Sequence, residues 1–240
     1  MKNLPIGVQD LTSFPDRDFV YVDKTELVYH LITRGKYYFL SRPRRFGKSL
    51  LISTFKHLFL GNKALFESLK FGEQDLWIMD KWDWTKKYPV IHFSFDALSY
   101  QDIGLANAIQ ADLLDKAEAF GIELTKSDFK SQFKELLKKV VEKHGKIVLL
   151  IDEYDKPIID FLEKDDLPQA KANRLVLKNF YSTLKSADDL LHFFFVTGIS
   201  KFTQVSMFSD LNNLKDITLH EDYAALTGYT QAEKIGRAHV

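Results

Sequence analysis

The chain has 240 residues, of which 45% are apolar and 28% charged, and its 33 basic and 33 acidic residues balance. This is enough for one large core, or for a core with a small appendage. The balanced charge excludes a global basic field of the kind that attracts nucleic acid. Because cysteine is absent, disulfides and thiolate metal sites are excluded. We see no signal-peptide pattern and no apolar run long enough to cross a bilayer, so we expect a cytoplasmic protein without membrane attachment.

The predicted elements alternate between helices and strands. A capping-box pattern at 23–26 predicts a helix that continues through Leu27, Leu31 and Ile32. Strands are predicted, in chain order, at 37–40, 90–95, 147–151, 191–197 and, in a shorter form, 217–219. Further helices are predicted after residue 48 and at about 102–120, 127–144 and 168–188. The segment 61–88, which carries all three tryptophans, is predicted to be an irregular or short-helical insertion. The alternation indicates an α/β fold with a mostly parallel sheet.

A phosphate-binding loop is predicted between the first strand and the helix that follows it. Residues 40–50 read LSRPRRFGKSL and contain the end of the P-loop pattern GxxxxGK[ST], but Arg42 stands where the pattern has its first glycine. Gly47 would let the backbone approach phosphate oxygens. Lys48 would reach the β- and γ-phosphates, and Ser49 would offer its hydroxyl to Mg²⁺. Taken alone, the segment has an alternative interpretation as an ordinary strand–turn–helix.

A buried strand that ends in acidic residues supports a nucleotide site. Residues 147–151 are a continuous apolar run, typical of a strand that is covered on both faces. Asp152 and Glu153 follow at its carboxyl end, where open α/β sheets place their ligands. In this Walker B pattern Asp152 would hold Mg²⁺ through water, and Glu153 would orient and deprotonate the attacking water. A buried strand before a charged turn is the alternative for this segment alone.

The strand predicted at 191–197 ends in polar residues. In nucleotidases with a glutamate after the Walker B aspartate, an extra strand lies between the loop strand and the Walker B strand, and a polar residue at its end senses the γ-phosphate. Thr197 is the first candidate here, with Ser200 and Lys201 behind it. A simple turn marked by Gly198 is the alternative. Asp155, just past the predicted base, could be a second polar ligand or a helix cap.

Three arginines cluster at the mouth of the predicted loop: Arg42, Arg44 and Arg45. They could neutralise phosphate charge, and Arg45 is the candidate for a phosphate contact. Pro43 biases Arg42 toward extended geometry, which would let the loop turn without its first glycine. The seven histidines lack metal-ligand spacing, so we expect no zinc.

Four blocks of sequence together resemble the bacterial predicted AAA-ATPase-like family. They are YVDKTELV from Tyr21, SRPRRFGKSLL, IDEYDKPI from Ile151 and TGISKFTQVSMFSDLNNLKDIT from Thr197, and the resemblance runs from about residue 4 to 233. In that family RPRRFGKS is the usual form of the loop. The resemblance implies a three-layer P-loop NTPase that binds ATP and Mg²⁺, with a mostly parallel five-stranded sheet of the extra-strand, catalytic-glutamate class.

The site expected from the motifs and the resemblance has three parts. Nucleotide contacts are expected from Arg45, Phe46, Gly47, Lys48, Ser49 and Leu50. Magnesium contacts are expected from Ser49 and Asp152. The expected catalytic residues are Glu153, Lys48 and Thr197.

The expected domain organisation follows the resemblance. Residues 1–234 would form one AAA-ATPase-like domain with a helical lead-in over about 1–35. Members of the family commonly continue into a domain that resembles PD-(D/E)XK nucleases. The last residues, IGRAHV at 235–240, match one reading frame of a common sequencing-adaptor sequence. We therefore expect a non-native tail on a chain that is cut before its C-terminal domain.

Three functions remain open from the sequence. The leading one is an ATP hydrolase that drives or switches a protein partner or the missing C-terminal domain, independently of a ring. The second is a nucleotide-dependent binding or signalling module with negligible turnover. The third is a small-molecule kinase, which is disfavoured because Glu153 suits water activation and no acceptor-site motif is visible. A nucleic-acid partner stays open, although the balanced charge does not indicate one.

Overall fold

The computed structural model describes residues 5, 7–16, 19–71, 74–201, 207, 208, 211 and 213–235. The chain divides into two compact units. Unit 1 comprises Met1–Lys36, Arg42–Lys87 and Asp216–Val240, and unit 2 comprises Tyr37–Ser41 and Tyr88–Lys215. Most of the predicted tail, 236–240, lies outside the described residues.

The strands and helices are numbered in chain order. The strands are β1 (Tyr37–Ser41), β2 (Lys70–Phe71), β3 (Gln74–Asp75), β4 (Val90–Ser94), β5 (Ile147–Asp152), β6 (Leu191–Gly198) and β7 (Lys215–Asp216). The helices are α1 (Ser13–Asp16), α2 (Thr25–Arg34), α3 (Lys48–Phe59), α4 (Lys63–Ser68), α5 (Tyr100–Ile103), α6 (Leu105–Ala119), α7 (Phe129–His144), α8 (Lys156–Ile159), α9 (Leu167–Ser182) and α10 (Gln231–Ile235). Short 3₁₀ turns lie at Trp77–Asp80, Phe95–Ala97, Lys164–Asp166, Thr183–Ser186 and Glu221–Tyr223.

A five-stranded sheet with the order β4-β5-β6-β1-β7 organises unit 2, and the division between the units falls within β7. The pairs β4/β5, β5/β6 and β6/β1 are all parallel. Every residue of β1 and β5 is buried. The continuous apolar runs therefore mark strands that are covered on both faces, and the predicted α/β fold with a mostly parallel sheet is confirmed.

The helices of unit 2 enclose an apolar core with the strands. Phe133 of α7 stacks on Phe180 of α9, with ring centroids 4.5 Å apart. Asp128 caps α7, because its Oδ1 accepts a hydrogen bond from the Ser131 N–H at 2.9 Å. The helix predicted at 102–120 is instead two helices, α5 and α6, because Gly104 has a φ of 81° and interrupts the helical backbone.

Unit 1 contains the first four helices, the antiparallel pair β2/β3 and α10. The capping box predicted at 23–26 is wrong, because Lys24 occupies the N-cap position of α2 and makes no side-chain cap. Asp23 instead accepts from the Thr25 N–H at 2.8 Å and from the Trp77 N–H at 2.7 Å. It thereby ties the tryptophan-rich segment to the start of α2. That segment contains α4, β2, β3 and a 3₁₀ turn, as the prediction of an irregular insertion required.

The short fifth strand was predicted at 217–219, and this position is wrong, because β7 is Lys215–Asp216. The chain turns immediately after it, since the Thr218 N–H donates to Oδ1 of Asp216 at 2.8 Å. Ile217 is fully buried while Leu219 is 85% exposed. The apolar residues Ile217 and Leu219 therefore lie in a turn, although their alternation with Thr218 is typical of a strand.

Of the helices that the structure describes, none is long and apolar enough to span a membrane.

Candidate functional site

The predicted phosphate loop begins directly after β1 and leads into α3. Residues 43–47 are exposed. Two loop residues have a left-handed backbone, Arg45 with φ of 65° and Gly47 with φ of 80°. Gly47 is the N-cap residue of α3 and has no side chain that could bond the first-turn N–H groups. A helix start that keeps its N–H groups available is suited to binding an anion.

The position of the missing glycine does not require one. Among the described non-glycine residues, positive φ occurs only at Arg45 and Glu153, so Arg42 has an ordinary backbone. The Arg42 guanidinium donates a hydrogen bond to the carbonyl oxygen of Thr218. Arg42 is therefore bound into the fold of unit 1, while Arg44 and Arg45 stay exposed at the loop.

The Lys48 side chain, at the end of the loop, bonds to the backbone at the start of the loop. Its side chain is buried, with 4% exposed, and its Nζ donates to the carbonyl oxygens of Arg42 and Pro43, each at 3.0 Å. A buried ammonium needs such partners, because desolvation of an unpaired charge is costly. The two bonds place a fixed positive charge across the start of the loop. Ser49 and Leu50 are half-buried in the first turn of α3.

A segment near the C-terminus packs on the same loop, which sequence reasoning missed. Gly228, whose φ is 76°, lies so close that a Cβ added there would stand 3.6 Å from Cδ1 of Phe46. A Cβ on Gly47 would stand 4.0 Å from the Gly228 nitrogen. The Phe46 ring is still 48% exposed. The available signal was the glycine of the segment TGY at 227–229, but only the fold brings it to the loop.

In unit 2, Asp152 ends β5 and is held by two donors. Its Oδ1 accepts from the Thr197 hydroxyl at 2.5 Å and from the Glu153 N–H at 3.0 Å. Asp152 is 4% exposed and Thr197 fully buried. The structure therefore brings the predicted metal ligand and the predicted sensor together. It does so by a direct bond between their side chains.

Glu153 occupies a strained position. Its φ is 52°, in the left-handed region that non-glycine residues rarely adopt. Such a conformation costs on the order of 1–3 kcal/mol and persists where the surroundings impose it, which is common at functional sites. Glu153 is half-buried, so the side chain predicted to be the base stays accessible.

The ends of three neighbouring strands lie level with one another. In β6, Thr197 is in register with Leu40 and Gly198 with Ser41 at the end of β1. On the other side of β6, Val196 is in register with Ile151 of β5. Thr197 thus stands at the carboxyl edge of the sheet, on a strand between the loop strand and the strand of Asp152 and Glu153. This is the edge at which parallel α/β sheets bind ligands.

Two further residues of this edge, Tyr154 and Asp155, contact the end of β6. Asp155 is fully buried and begins α8, yet it makes no side-chain cap of that helix. Its carboxylate accepts instead from the N–H groups of Ile199 and Ser200. The Tyr154 hydroxyl donates to the Ser200 carbonyl oxygen at 2.6 Å. Asp155 therefore occupies the N-cap position of α8, but its side chain does not cap the helix.

A polar network includes Lys156, the first residue of α8, and Asp160, its C-cap residue. The Tyr100 hydroxyl donates to Asp160 at 2.6 Å, and Lys156 pairs with Asp160 at 3.0 Å and with Asp96 at 3.4 Å. Burial raises the pKa of Tyr100, and the bond to Asp160 raises it further, so the phenol stays protonated as a donor. These residues line a cavity of about 220 Å³. The network fixes α8 immediately after the Glu153 turn.

Comparison with known proteins agrees with these features. A family model described as predicted AAA-ATPase matches residues 5–208. The chain is also 41% identical over 235 residues to an uncharacterized protein in the vnfD 5′ region of Azotobacter chroococcum mcd 1. That match covers 97% of this chain and 44% of the relative, so the chain spans less than half of the relative's length. No solved structure matches the chain. The chain belongs to the predicted AAA-ATPase family, and its membership supports an ATP-binding, ATPase-like domain.

Proposed function

We propose that this domain binds ATP with Mg²⁺ and hydrolyses it, and that hydrolysis drives or switches a partner. One observation supports this proposal above the others. The strand that leads into the loop, the strand of Thr197 and the strand of Asp152 and Glu153 are consecutive and parallel in one sheet. This order is the one expected for the extra-strand, catalytic-glutamate class, to which we assign the domain.

The loop and α3 would bind the triphosphate. The first-turn N–H groups of α3 and the left-handed turn at Gly47 suit an oxyanion. Lys48 stands across the loop start, where its charge would offset that of the β- and γ-phosphates. Arg45 and Phe46, both exposed, and the half-buried Leu50 complete the proposed nucleotide contacts.

The donors available for Mg²⁺ fit that ion by their chemistry. No cluster of three or more metal-ligating side chains occurs among the residues that the structure describes. Mg²⁺ needs no such cluster, since it keeps several waters and is usually bound by one or two carboxylates together with substrate phosphates. The Ser49 hydroxyl and the Asp152 carboxylate would hold it. The ion would neutralise charge on the phosphates.

Glu153 would act as the base for the attacking water. Its carboxylate follows a fixed Asp152, and the left-handed backbone directs it differently from an ordinary strand residue. Thr197, bonded to Asp152, would report the presence of the γ-phosphate. The coupled element is proposed to be a protein partner or the nuclease-like domain that the family resemblance implies. The cytoplasm is the proposed location.

Single-turnover phosphate release tests hydrolysis. We expect the wild-type protein with Mg²⁺ and ATP to release phosphate, and Glu153→Gln to release it about 100-fold more slowly, because general-base catalysis contributes roughly 10²–10⁴-fold. ATP affinity of Glu153→Gln should stay within a few-fold of wild type. The exposed Glu163 of the same unit offers a matched control, and Glu163→Gln should behave as wild type.

Equal, slow release by wild type and Glu153→Gln would contradict hydrolysis by this site. Tight ATP binding in that case would favour the second function, a nucleotide-dependent binding or signalling module. A labelled metabolite in a scan of the products would favour a small-molecule kinase.

A further inference from the structure

We propose that Asp155 is a positioning residue for ATP hydrolysis, which holds the Glu153 turn against the end of β6. This inference rests on the proposed function of the same site. The contacts between residues 154–155 and residues 197–200 form what we call the β5–β6 clamp.

The clamp is centred on one buried carboxylate. Oδ1 of Asp155 accepts from the Ile199 N–H at 3.2 Å, and Oδ2 accepts from the Ile199 N–H at 3.1 Å and the Ser200 N–H at 2.6 Å. Asp155 has no exposed surface. A charge buried to this extent is stable only when donors surround it. Because these donors are backbone groups past the end of β6, the carboxylate fixes the backbone and leaves no surface for a nucleotide.

Tyr154 supplies the second part of the clamp. Its N–H donates to the Thr197 carbonyl oxygen at 3.0 Å, and its hydroxyl donates to the Ser200 carbonyl oxygen at 2.6 Å. The chain segments on either side of Gly198 are therefore both bonded to Tyr154. A Cβ on Gly198 would stand 2.3 Å from the Tyr154 ring and 2.7 Å from Oδ1 of Asp155. The two segments approach so closely that only glycine fits.

The clamp adjoins Glu153 and Asp152, the two carboxylates that the proposed hydrolysis needs. Glu153 immediately precedes the clamp, and its positive φ requires neighbours that impose it. Thr197 is the first clamp residue of β6, and its hydroxyl holds Asp152. Without the Asp155 bonds the Glu153 turn can relax toward an ordinary backbone, which moves its carboxylate. A displacement of about 1 Å is enough to lower a rate roughly 100-fold.

The test compares phosphate release, ATP affinity and thermal stability of Asp155→Asn. The amide is isosteric but turns one acceptor into a donor that faces backbone N–H groups. We expect single-turnover release to fall at least about tenfold, with ATP affinity within about threefold of wild type. Tyr154→Phe removes a single clamp bond, so it should give a smaller fall in the same direction. It also serves as the test variant if Asp155→Asn does not fold.

A matched variant separates positioning from loss of stability. Asn173 is buried in the same unit, and its amide donates to the carbonyl oxygen of Pro157 in α8 at 2.7 Å. Neither this bond nor the one that its side-chain oxygen accepts involves residues 197–200. Asn173→Ala should lower the melting temperature while the release rate of the folded protein stays near the wild-type rate. A clamp variant that loses rate no more than Asn173→Ala, at a similar melting temperature, would overturn the proposal.

A double variant shows whether Asp155 acts through Glu153. In the Glu153→Gln background, Asp155→Asn should have little further effect on phosphate release, since residues that act as a unit are not additive. An undiminished, additive loss would overturn the positioning role. If the wild-type protein releases phosphate and Asp155→Asn releases it at the same rate, the positioning role is overturned but the proposed function is not. Absence of Glu153-dependent release in wild type would overturn the proposed function, and this role with it.

Discussion

The Thr197 hydroxyl donates a 2.5 Å hydrogen bond to Oδ1 of Asp152, between the ends of two neighbouring parallel strands. Both side chains are buried, so the bond is protected from competition by water. One residue was predicted to sense the γ-phosphate and the other to hold Mg²⁺. Their bond means that a change at either one is transmitted directly to the other.

Thr197→Val should weaken the handling of Mg²⁺. The substitution keeps the shape of the side chain but leaves Asp152 with one donor fewer, and removing one partner of a buried bond costs about 1–3 kcal/mol. We expect a lower melting temperature, a higher Mg²⁺ concentration for half-maximal phosphate release and a release rate lowered about tenfold. Titration of Mg²⁺ under single-turnover conditions measures this.

Thr197→Ser is the matched control, because it retains the hydroxyl. It should recover most of the Mg²⁺ response, with a modest loss of stability from the missing methyl group. If valine and serine variants respond to Mg²⁺ in the same way as wild type, the bond has no part in the site.

Lys48→Ala should weaken nucleotide binding about 10- to 100-fold, because a hydrogen bond to a charged group is worth about 1.5–3 kcal/mol. Calorimetric titration with ATP, and in parallel with tripolyphosphate, measures the loss. Both ligands should be affected alike, since Lys48 is assigned to the phosphates and not to the base.

Lys56→Ala, at the other end of α3, removes the same charge away from the loop and should bind as wild type does. The melting temperature of Lys48→Ala must be measured as well, because Lys48 also holds the carbonyls of Arg42 and Pro43. Unchanged ATP affinity in a folded Lys48→Ala protein would show that the phosphate-loop assignment is wrong.

The protein should become less stable as the pH decreases below about 6.5, because His57 of unit 1 is harder to protonate in the folded state than in the unfolded state. Burial lowers the pKa of His57 from its ordinary value of 6.5, although the Asp10 carboxylate, 3.6 Å from Nε2, opposes this. The folded state then binds fewer protons than the unfolded state as pH falls from 6.5 to the folded pKa. The free energy of unfolding decreases across that window and is unaffected by His57 above it, with a slope of at most about 1.4 kcal/mol per pH unit.

Urea unfolding of wild type and His57→Gln between pH 5 and pH 8 checks the sign. The variant should show a flatter dependence between pH 7 and pH 5. The pKa of Asp10 is itself lowered, because its bonds to Thr12 and Ser53 outweigh burial, so its own titration lies below this window. Parallel curves for the two proteins would contradict the assignment to His57.

Predictions from the local sequence pattern were confirmed where the residues of a single strand are enough to determine its burial. The apolar runs at 37–40 and 147–151 are buried parallel strands, because a segment without polar residues has to be covered on both faces. Predictions from the local pattern were wrong where a side chain forms hydrogen bonds with backbone N–H groups that the pattern does not reveal. Asp23 bonds Trp77, 54 residues away, in addition to Thr25, and Asp216 turns the chain before Ile217 can extend β7.

The sequence by itself determined the kind of fold and the chemical groups at the candidate site. Strand–loop–helix spacing around Gly47, Lys48 and Ser49, and the acidic end of β5, follow from residues adjacent in the chain. Only the tertiary structure decided which of these groups bond to one another. Thr197 and Asp152 are 45 residues apart, as are Ser200 and Asp155. Hydrogen bonds depend on distance and direction in space, and parallel strand pairing sets both without leaving a local pattern in the chain.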